Sequence, residues 1–303
     1  MTTRITLSLA TFVVALLAST AVVSETGPQL GTTQTPGFQE LLEAPELTFA
    51  PLPSEPEDVG TELINGTVVG SRYFPTVFRM TTGGTCTGTL VGEATLLVAA
   101  HCVENGARIR FVLKSKRIRG ICKHAPGYSE ENPSEDWALC LLEYPVTGIK
   151  YERVDVSRTP EIDTKVKLMG YGCTERDGPL DGKLRIGNSK VVSKPSRSDR
   201  CEYRFPNETS TIYTKSDVAK GEAVICPGDS GGPLFVFRGN SANDARDLVG
   251  VNSRTTFEKC GVSLFAAVGS EKGKAFFKRW AKRHGQKICG VNTDKSYAKD
   301  NCH

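Results

Sequence analysis

Histidine, methionine and tryptophan are rare in this 303-residue chain, which contains 4, 3 and 2 of them. No two cysteines have the C-x-x-C spacing, and with so few histidines the pattern argues against a metal site. The formal net charge of +4 is too small to indicate a nucleic-acid partner. What remains is a globular composition, 39% hydrophobic with 30 glycines, long enough for one large core or two smaller ones.

Long apolar runs are also scarce, and only the stretch from about Ile5 to Val23 could concern a membrane. Arg4 precedes this run and small residues end it, which is the order found in secretory signal peptides. A membrane anchor is the alternative, but Ser8 and Thr11 interrupt a run of borderline length. We therefore interpret residues 1–24 as a signal peptide and expect a secreted, extracellular protein that is free of the membrane afterwards. In that oxidising compartment, ten cysteines indicate disulfides.

Residues 25–62 differ from the rest because they lack Lys, Arg and Cys and contain eight acidic residues. Such a segment cannot bury enough apolar surface to fold alone, so we interpret it as an acidic propeptide or linker. Without residues 1–62, 37 basic and 26 acidic residues remain, which gives the body 63–303 a net charge of +11. That charge would suit anionic surfaces or polysaccharides, and it keeps a non-proteolytic secreted binding protein as the alternative function.

The body reads as many short strands separated by turns. Ile109, Phe111 and Leu113 alternate with arginines, as a half-buried strand requires. Short apolar runs of strand length follow the same reading at residues 95–98, 166–169, 234–237 and 248–251. One helix is indicated near the C-terminus, where Phe276, Phe277 and a tryptophan fall on one face. The pattern predicts an all-β protein, a sandwich or barrels.

The strongest chemical signal is Gly228-Asp229-Ser230-Gly231-Gly232-Pro233. Glycines beside a serine let the backbone turn tightly and expose N–H donors for an oxyanion. The same letters fit the nucleophile turn of an esterase or lipase, in which the acid and the histidine follow the serine. Only His284 and His303 follow Ser230, one on the expected helix and one at the terminus. The general base must therefore be sought upstream.

Upstream, His101 ends an apolar strand in Ala99-Ala100-His101-Cys102, and Asp136 stands just before another apolar strand. A carboxylate at such a place needs a partner, and an imidazole N–H would fix the tautomer of a general base. The order His, Asp, Ser matches one of the known triads. His124 has no such context and is interpreted as an ordinary loop residue.

These motifs resemble those of trypsin/chymotrypsin-type (S1-like) serine proteases over residues 63 to about 284. The resemblance implies two six-stranded antiparallel β-barrels, about 63–155 and 156–270, then a C-terminal helix at about 272–284 and a tail at 285–303. It implies a secreted endopeptidase, without cofactor or metal, that forms an acyl-enzyme. The roles it implies are general base for His101, orienting carboxylate for Asp136, nucleophile for Ser230 and oxyanion-hole amides for Gly228 and Ser230. Ser253 would line the substrate cleft beside the aspartate.

The same resemblance suggests how the enzyme is activated and what it cuts. Leu63-Ile64-Asn65-Gly66 is similar to a mature N-terminus whose freed amine, at Leu63, pairs with Asp229. Glu62 precedes it, so we expect an activating protease that is not trypsin-like. Val224 would be the floor of the substrate pocket, with Glu222 outside it, and Thr255 and Ser263 on its walls. Since a buried Lys or Arg needs a carboxylate, we expect small or medium apolar P1 residues.

By the resemblance, Cys86 pairs with Cys102 and Cys226 with Cys260. Proximity alone suggests the remaining three pairs, which are Cys122–Cys140, Cys173–Cys201 and Cys289–Cys302. Thr214 stands about where the family has the second cysteine of another bridge. Glycosylation sequons occur at Asn65 and Asn207. The expected partners are protein or peptide substrates and the activating protease, and we expect a monomer.

Overall fold

The computed structural model describes residues 46–51, 64–113, 116–175, 178–195, 209–239, 244–256 and 261–303. All belong to one compact unit, Pro45–His303. The strands of this part are β1 (Leu47–Ala50), β2 (Thr67–Val68), β3 (Val77–Thr82), β4 (Thr87–Gly92), β5 (Thr95–Val98), β6 (Arg108–Leu113), β7 (Lys116–His124), β8 (Ala138–Leu142), β9 (Arg153–Val154), β10 (Lys165–Gly170), β11 (Arg185–Val192), β12 (Thr211–Lys215), β13 (Pro233–Phe237), β14 (Arg246–Thr255) and β15 (Val262–Ala267). The helices are α1 (Glu271–His284) and α2 (Lys295–Asn301).

The first barrel closes in the order β1-β3-β4-β5-β8-β7-β6, with β6 back beside β1. On β6, Ile109 and Phe111 are buried in the core, whereas Arg108 is exposed and Arg110 is half-buried, in agreement with the alternating pattern. The barrel has seven strands where the resemblance implied six. The additional strand is β1, which comes from the acidic segment 25–62 and runs parallel to β6 and antiparallel to β3.

The second barrel has six strands, as expected. Its order is β10-β13-β14-β15-β12-β11, and the β10–β11 pairing closes it. The short strands β2 and β9 add to the outside of β11 and β14. Completely buried Leu168, Leu234 and Phe265 lie in its core. Both barrels therefore close. The first includes a strand from ahead of Leu63, whereas the second is formed entirely by residues after it.

Helix α1 confirms the C-terminal helix prediction. It begins after Ser270, whose hydroxyl accepts a hydrogen bond from the Gly273 amide at 3.1 Å. It ends at Gly285, whose φ of 62° lies in the left-handed region that glycine adopts without strain. The phenylalanines at 276 and 277 and Trp280 form its buried face. Among the residues that the structure describes, no helix is long and apolar enough to cross a bilayer.

After α1, the tail returns to the first barrel. The Cys289 amide donates to the Val91 carbonyl at 2.9 Å, and the Tyr151 amide donates to the Asn301 carbonyl at 2.8 Å. A disulfide joins Cys289 to Cys302, and both cysteines pack into the core of the first barrel. The tail is therefore part of the folded body.

Three disulfides agree with prediction: Cys86–Cys102, Cys122–Cys140 and Cys289–Cys302. The pairings of Cys226 with Cys260 and of Cys173 with Cys201 are wrong, because Cys173 is bonded to Cys226. The reason is local: the Cys173 amide donates to the Pro227 carbonyl at 2.9 Å, which brings the two loops side by side. Cys201 and Cys260 lie outside the described residues.

Candidate active site

The end of β5 and the start of β8 bring His101 and Asp136 together. These strands are antiparallel neighbours, with Val98 opposite Ala138. The residues that follow Val98 and those that precede Ala138 therefore lie at the same edge of the sheet. His101 Nδ1 is 2.7 Å from one carboxylate oxygen of Asp136, and the His101 amide donates to the other at 2.9 Å. The carboxyl is completely buried, whereas the His101 side chain is 30% exposed. Asp136 thus holds the ring at Nδ1, while part of the His101 side chain remains exposed.

Ser253 adds a third donor to Asp136. A bulge between Asn252 and Arg254 interrupts the β14–β15 register and turns Ser253 toward the carboxyl, where its hydroxyl donates at 2.5 Å. Burial raises the pKa of Asp136, but the hydrogen bonds from His101 and Ser253 outweigh it and hold the pKa below its ordinary value. The carboxylate is therefore ionised and only accepts, so His101 Nδ1 carries the proton and Nε2 is left with a free lone pair.

Ser230 lies on the second barrel with its backbone against the residues around His101. Its carbonyl accepts from the Thr87 amide at 2.7 Å and is 3.7 Å from Cys102 Sγ. Gly231 fits so closely that a Cβ would lie 2.9 Å from the Ala99 nitrogen. In the described residues, no hydrogen bond joins the Ser230 hydroxyl to the His101 ring; such contacts are often long in unliganded enzymes and shorten with substrate.

The loop that leads to Ser230 contains two amides without a protein acceptor among the described residues. Gly228 has a φ of 102°, and a Cβ there would lie 2.8 Å from the Gly172 Cα, so only glycine fits. Within the described part of the chain, the amides of Gly228 and Ser230 donate to no other protein group. Two neighbouring free N–H groups beside a serine hydroxyl can stabilise an oxyanion.

Two residues that hold this loop were missed by the sequence analysis. Thr87 donates through its hydroxyl to the Gly228 carbonyl at 2.9 Å, in addition to its amide contact with Ser230. Asn252 is completely buried and donates to the carbonyls of Met169 and Asp229, at 2.9 and 3.0 Å. Their positions directly after a paired cysteine and directly before Ser253 were the available signals.

The comparisons with known proteins agree with this geometry. The sequence model of the family described as Trypsin matches residues 63–269. The chain belongs to the trypsin family. This membership and the relatives below make it a serine endopeptidase, with protein or peptide substrates.

Several relatives of this trypsin-family chain are proteases. The serine protease SP24D of Anopheles gambiae is 28% identical over 192 residues, which cover 58% of this chain and 68% of that protein. Chymotrypsin-C of Bos taurus is 28% identical over 196 residues, covering 58% and 71%. The structure of neuropsin, a serine protease expressed in mouse brain, is 23% identical with a TM-score of 0.50 and covers 66% of this chain and 89% of its own. That last likeness concerns the fold alone.

Asp229, which the sequence predicts to take part in activation, is a second buried carboxyl in this trypsin-family protein. Asp229 accepts hydrogen bonds from the amides of Cys226 and Gly172, both at 2.8 Å. Burial raises the pKa of Asp229 to about 7, although these amides and the charge of Arg185 oppose the rise. Leu63 lies outside the described residues. The next residue, Ile64, is buried and accepts from the Val224 amide at 3.3 Å.

Most residues expected around the substrate pocket are buried, and their hydroxyl groups form hydrogen bonds within the protein. Val224 is completely buried and packs with Ile64 and the Cys173–Cys226 disulfide. The Ser263 hydroxyl accepts from the Ile225 amide at 3.2 Å, and the Thr255 hydroxyl donates to the Val262 carbonyl at 3.2 Å. Glu222 is exposed, and its carboxylate accepts from the Asp217 amide at 2.6 Å on its own loop.

Two polar features near the site have structural partners. Asn65 adopts φ 64°, a conformation that asparagine tolerates, and its side-chain amide donates to the carbonyls of Val218 and Glu222 at 2.8 and 3.2 Å. A glycan on that nitrogen would disrupt both bonds; Asn207 lies outside the described residues. Trp137 is completely buried, and its indole N–H donates to the Ala266 carbonyl at 3.1 Å.

One group of candidate metal ligands occurs in the described residues, formed by Cys86, His101 and Cys102. Its two sulfurs are joined in a disulfide and therefore offer no thiolate. The three side chains lie close together because the Cys86–Cys102 disulfide is next to His101.

Proposed function

We propose that this chain is a secreted endopeptidase, made as a zymogen, in which His101, Asp136 and Ser230 form the catalytic triad. The observation that carries the proposal is the buried, ionised Asp136 with its donors from His101 and Ser253. It fixes the imidazole so that Nε2 faces away from the carboxylate. The contact between the Ser230 backbone and the residues flanking His101 supports the rest.

In the proposed mechanism, His101 Nε2 takes the proton of the Ser230 hydroxyl as Oγ attacks the scissile carbonyl. The oxyanion then accepts hydrogen bonds from the amides of Gly228 and Ser230. The imidazolium returns its proton to the leaving amine, which leaves an acyl-enzyme, and water repeats the sequence to release the acid. Asp136 stays ionised throughout and stabilises the charged ring.

Activation is proposed to follow cleavage of the Glu62–Leu63 bond by a Glu-specific protease, or cleavage one bond later by a protease that prefers apolar residues. The new α-ammonium group of Leu63 would pair with Asp229, lower its pKa and order the oxyanion loop. The burial of Ile64 against Val224 supports this, because it holds the next residue beside that loop. N-terminal sequencing of the active secreted protein tests it; a first residue other than Leu63 or Ile64 would overturn it.

For specificity we propose small or medium apolar P1 residues, with Val224 as the pocket floor. The commitment of the Glu222 carboxylate to the Asp217 amide supports this, since it leaves that acid on an exposed loop. P1 libraries on the processed enzyme test the pocket. Faster cleavage after Arg or Lys than after Ala, Val, Leu or Phe would contradict it.

A serine-directed phosphonylating reagent tests the triad itself. The processed protein should lose its activity with one label on Ser230, and Ser230→Ala should neither react nor cleave. An exposed serine, Ser157, provides the matched control, because Ser157→Ala should react like the parent. Absence of labelling and of proteolysis would favour the alternative of a non-proteolytic homologue that binds anionic surfaces.

A further inference from the structure

The strand that closes the first barrel lies ahead of the part that matches the trypsin family. That match begins at residue 63, whereas β1 ends at Ala50. In the described residues, β3 and β6 are connected through β1: Phe49 stands opposite Met80 on β3 and opposite Phe111 on β6. The body from residue 63 onward therefore provides six strands of this barrel and a gap one strand wide.

The gap is shaped for the side chains of β1. Phe49 is completely buried in the core of the first barrel. At Gly88, an added Cβ would lie 3.2 Å from the Phe49 ring. At Gly83, which has a φ of 79°, an added Cβ would lie 2.2 Å from Leu47 Cδ2. Two glycines of the body thus leave room for two apolar residues of the leader.

Polar contacts hold the edges of the same strand. The hydroxyls of Thr82 and Thr81 donate to the carbonyls of Glu46 and Thr48, at 3.0 and 3.3 Å. Arg110 forms an ion pair with the Glu46 carboxylate. This pair follows the general charge distribution, since all the charged residues of the leader segment 25–62 are acidic and the body has a net positive charge.

No disulfide can tether the leader to the body. Residues 25–62 contain no cysteine, and the ten cysteines of the chain all lie between Cys86 and Cys302. A cut between Pro51 and Ile64 would therefore leave β1 held by strand pairing, by Phe49 and by the Glu46–Arg110 pair. These are the contacts by which an added strand binds a sheet edge.

We propose that the gap between β3 and β6 is a binding site for the leader of this same chain, and that the leader stays bound after activation. The mature enzyme is then a non-covalent complex of two chains, the leader with β1 and the body from Leu63. This inference rests on the proposed activation cleavage, since without a cut there is only one chain. The leader acts as a permanent barrel strand, so its removal would expose two strand edges and the barrel core.

An engineered cut tests retention directly. Residues 54–60 of the full chain, carrying Ser230→Ala to prevent self-digestion, are replaced by the recognition sequence of a site-specific protease. After the cut, native gel filtration followed by mass spectrometry under denaturing conditions should find leader and body in equal amounts in one peak. Elution of the leader apart from the body would overturn the proposal, whether or not the body stays folded.

Two variants show which contacts retain it. Phe49→Ala should release the leader about 100-fold faster. The matched control Thr48→Ala, at the neighbouring half-buried position, should retain it. If Phe49→Ala does not fold, Glu46→Lys should speed release about threefold and the added change Arg110→Glu should restore retention. Equal release from Phe49→Ala and Thr48→Ala would contradict the proposed site.

The natural protein separates this proposal from the activation proposal. Sequencing of the active enzyme should give Leu63 or Ile64 and, in the same native peak, a leader fragment that contains β1. A different first residue would overturn the activation cleavage alone, because the engineered cut measures retention independently. A correct first residue with no leader in the peak would overturn retention alone.

Discussion

The two barrels close in different ways, and each has a buried aspartate. The first barrel borrows β1 for closure and buries Asp136, which receives side-chain donors from His101 and Ser253. The second closes with its own six strands and buries Asp229, whose described hydrogen bonds come from two backbone amides. The pKa of Asp136 is lowered, whereas that of Asp229 is raised to about 7.

This difference reflects the partners of the two carboxyl groups. Asp136 already contacts His101, whereas the proposed partner of Asp229 is an amine that forms only on cleavage. Burial raises the pKa of both carboxyl groups. The sign of each net shift therefore depends on the hydrogen-bond donors and charges that surround the group. Asp136 already has an imidazole that can carry the opposite charge. Asp229 would gain its opposite charge when the Leu63 amine is freed. If the proposed triad and activation are correct, the His101–Asp136 pair is already formed before cleavage, and activation acts on the surroundings of Asp229.

The largest expected effect is that of Asp136→Asn. The amide would donate to the His101 ring and favour the wrong tautomer, and kcat should fall by about 10⁴-fold, as for the same change in a related protease. The circular dichroism spectrum should not change. Asp300→Asn, at an exposed position, is the control and should leave kcat unaltered. A loss below tenfold for Asp136→Asn would separate Asp136 from catalysis.

Phe49→Ala tests whether the first barrel depends on its borrowed strand. Removing a completely buried ring should lower the free energy of unfolding by about 3–5 kcal/mol, measured by denaturant titration of the uncut chain. Phe265→Ala, in the core of the second barrel, should cost a similar amount. If Phe49→Ala costs less than about 1 kcal/mol while Phe265→Ala costs the full amount, β1 does not belong to the core.

The raised pKa of Asp229 predicts how stability depends on pH in the uncut chain. Between about pH 4 and pH 7 the folded carboxyl keeps a proton that the unfolded chain has lost, so the free energy of unfolding decreases as pH rises. The contribution is about 4 kcal/mol over the window, and it is absent above pH 7. Asp229→Asn should flatten this part of the profile, whereas Asp300→Asn should preserve it. An unchanged slope in Asp229→Asn would refute the assignment.

The smallest expected effect is that of Ser253→Ala, which removes one donor from Asp136. The value of kcat/KM should fall about tenfold, because a hydrogen bond to a buried charge is lost. The pKa of Asp136 should rise, because one of the hydrogen bonds that lower it is lost. Ser157→Ala removes a comparable serine–aspartate bond at an exposed position and should change neither. A shift in both variants would make the effect non-specific.

Local patterns predicted most of the fold. The alternation around Ile109 and Phe111 became β6, and the apolar run at 248–251 lies within β14. The helix expected at about 272–284 begins at Glu271, because Ser270 caps it. The motif around His101 also led to a residue that contacts Asp136. In each case the residues that decide the structure are neighbours in sequence.

The failures concern contacts between distant loops. Cys226 was paired with Cys260 by resemblance, whereas the approach of Cys173 to Pro227 determines its partner. The strand β1 was missed because Leu47–Ala50 is short and lies in an acidic segment without alternating pattern. Its partners, β3 and β6, are about 30 and 60 positions away, and a single sequence does not reveal which edges need a strand.

The attachment of the tail affects the order in which the protein can be assembled on the ribosome. Val91 and Tyr151 are translated well before Cys289 and Asn301, to which their backbone groups are hydrogen-bonded. Nascent chains usually complete their domains from the N-terminus. Here the barrel that is made first is completed by Cys289 and Asn301, which follow the second barrel in the chain, so the complete protease body can form only after these residues have left the ribosome.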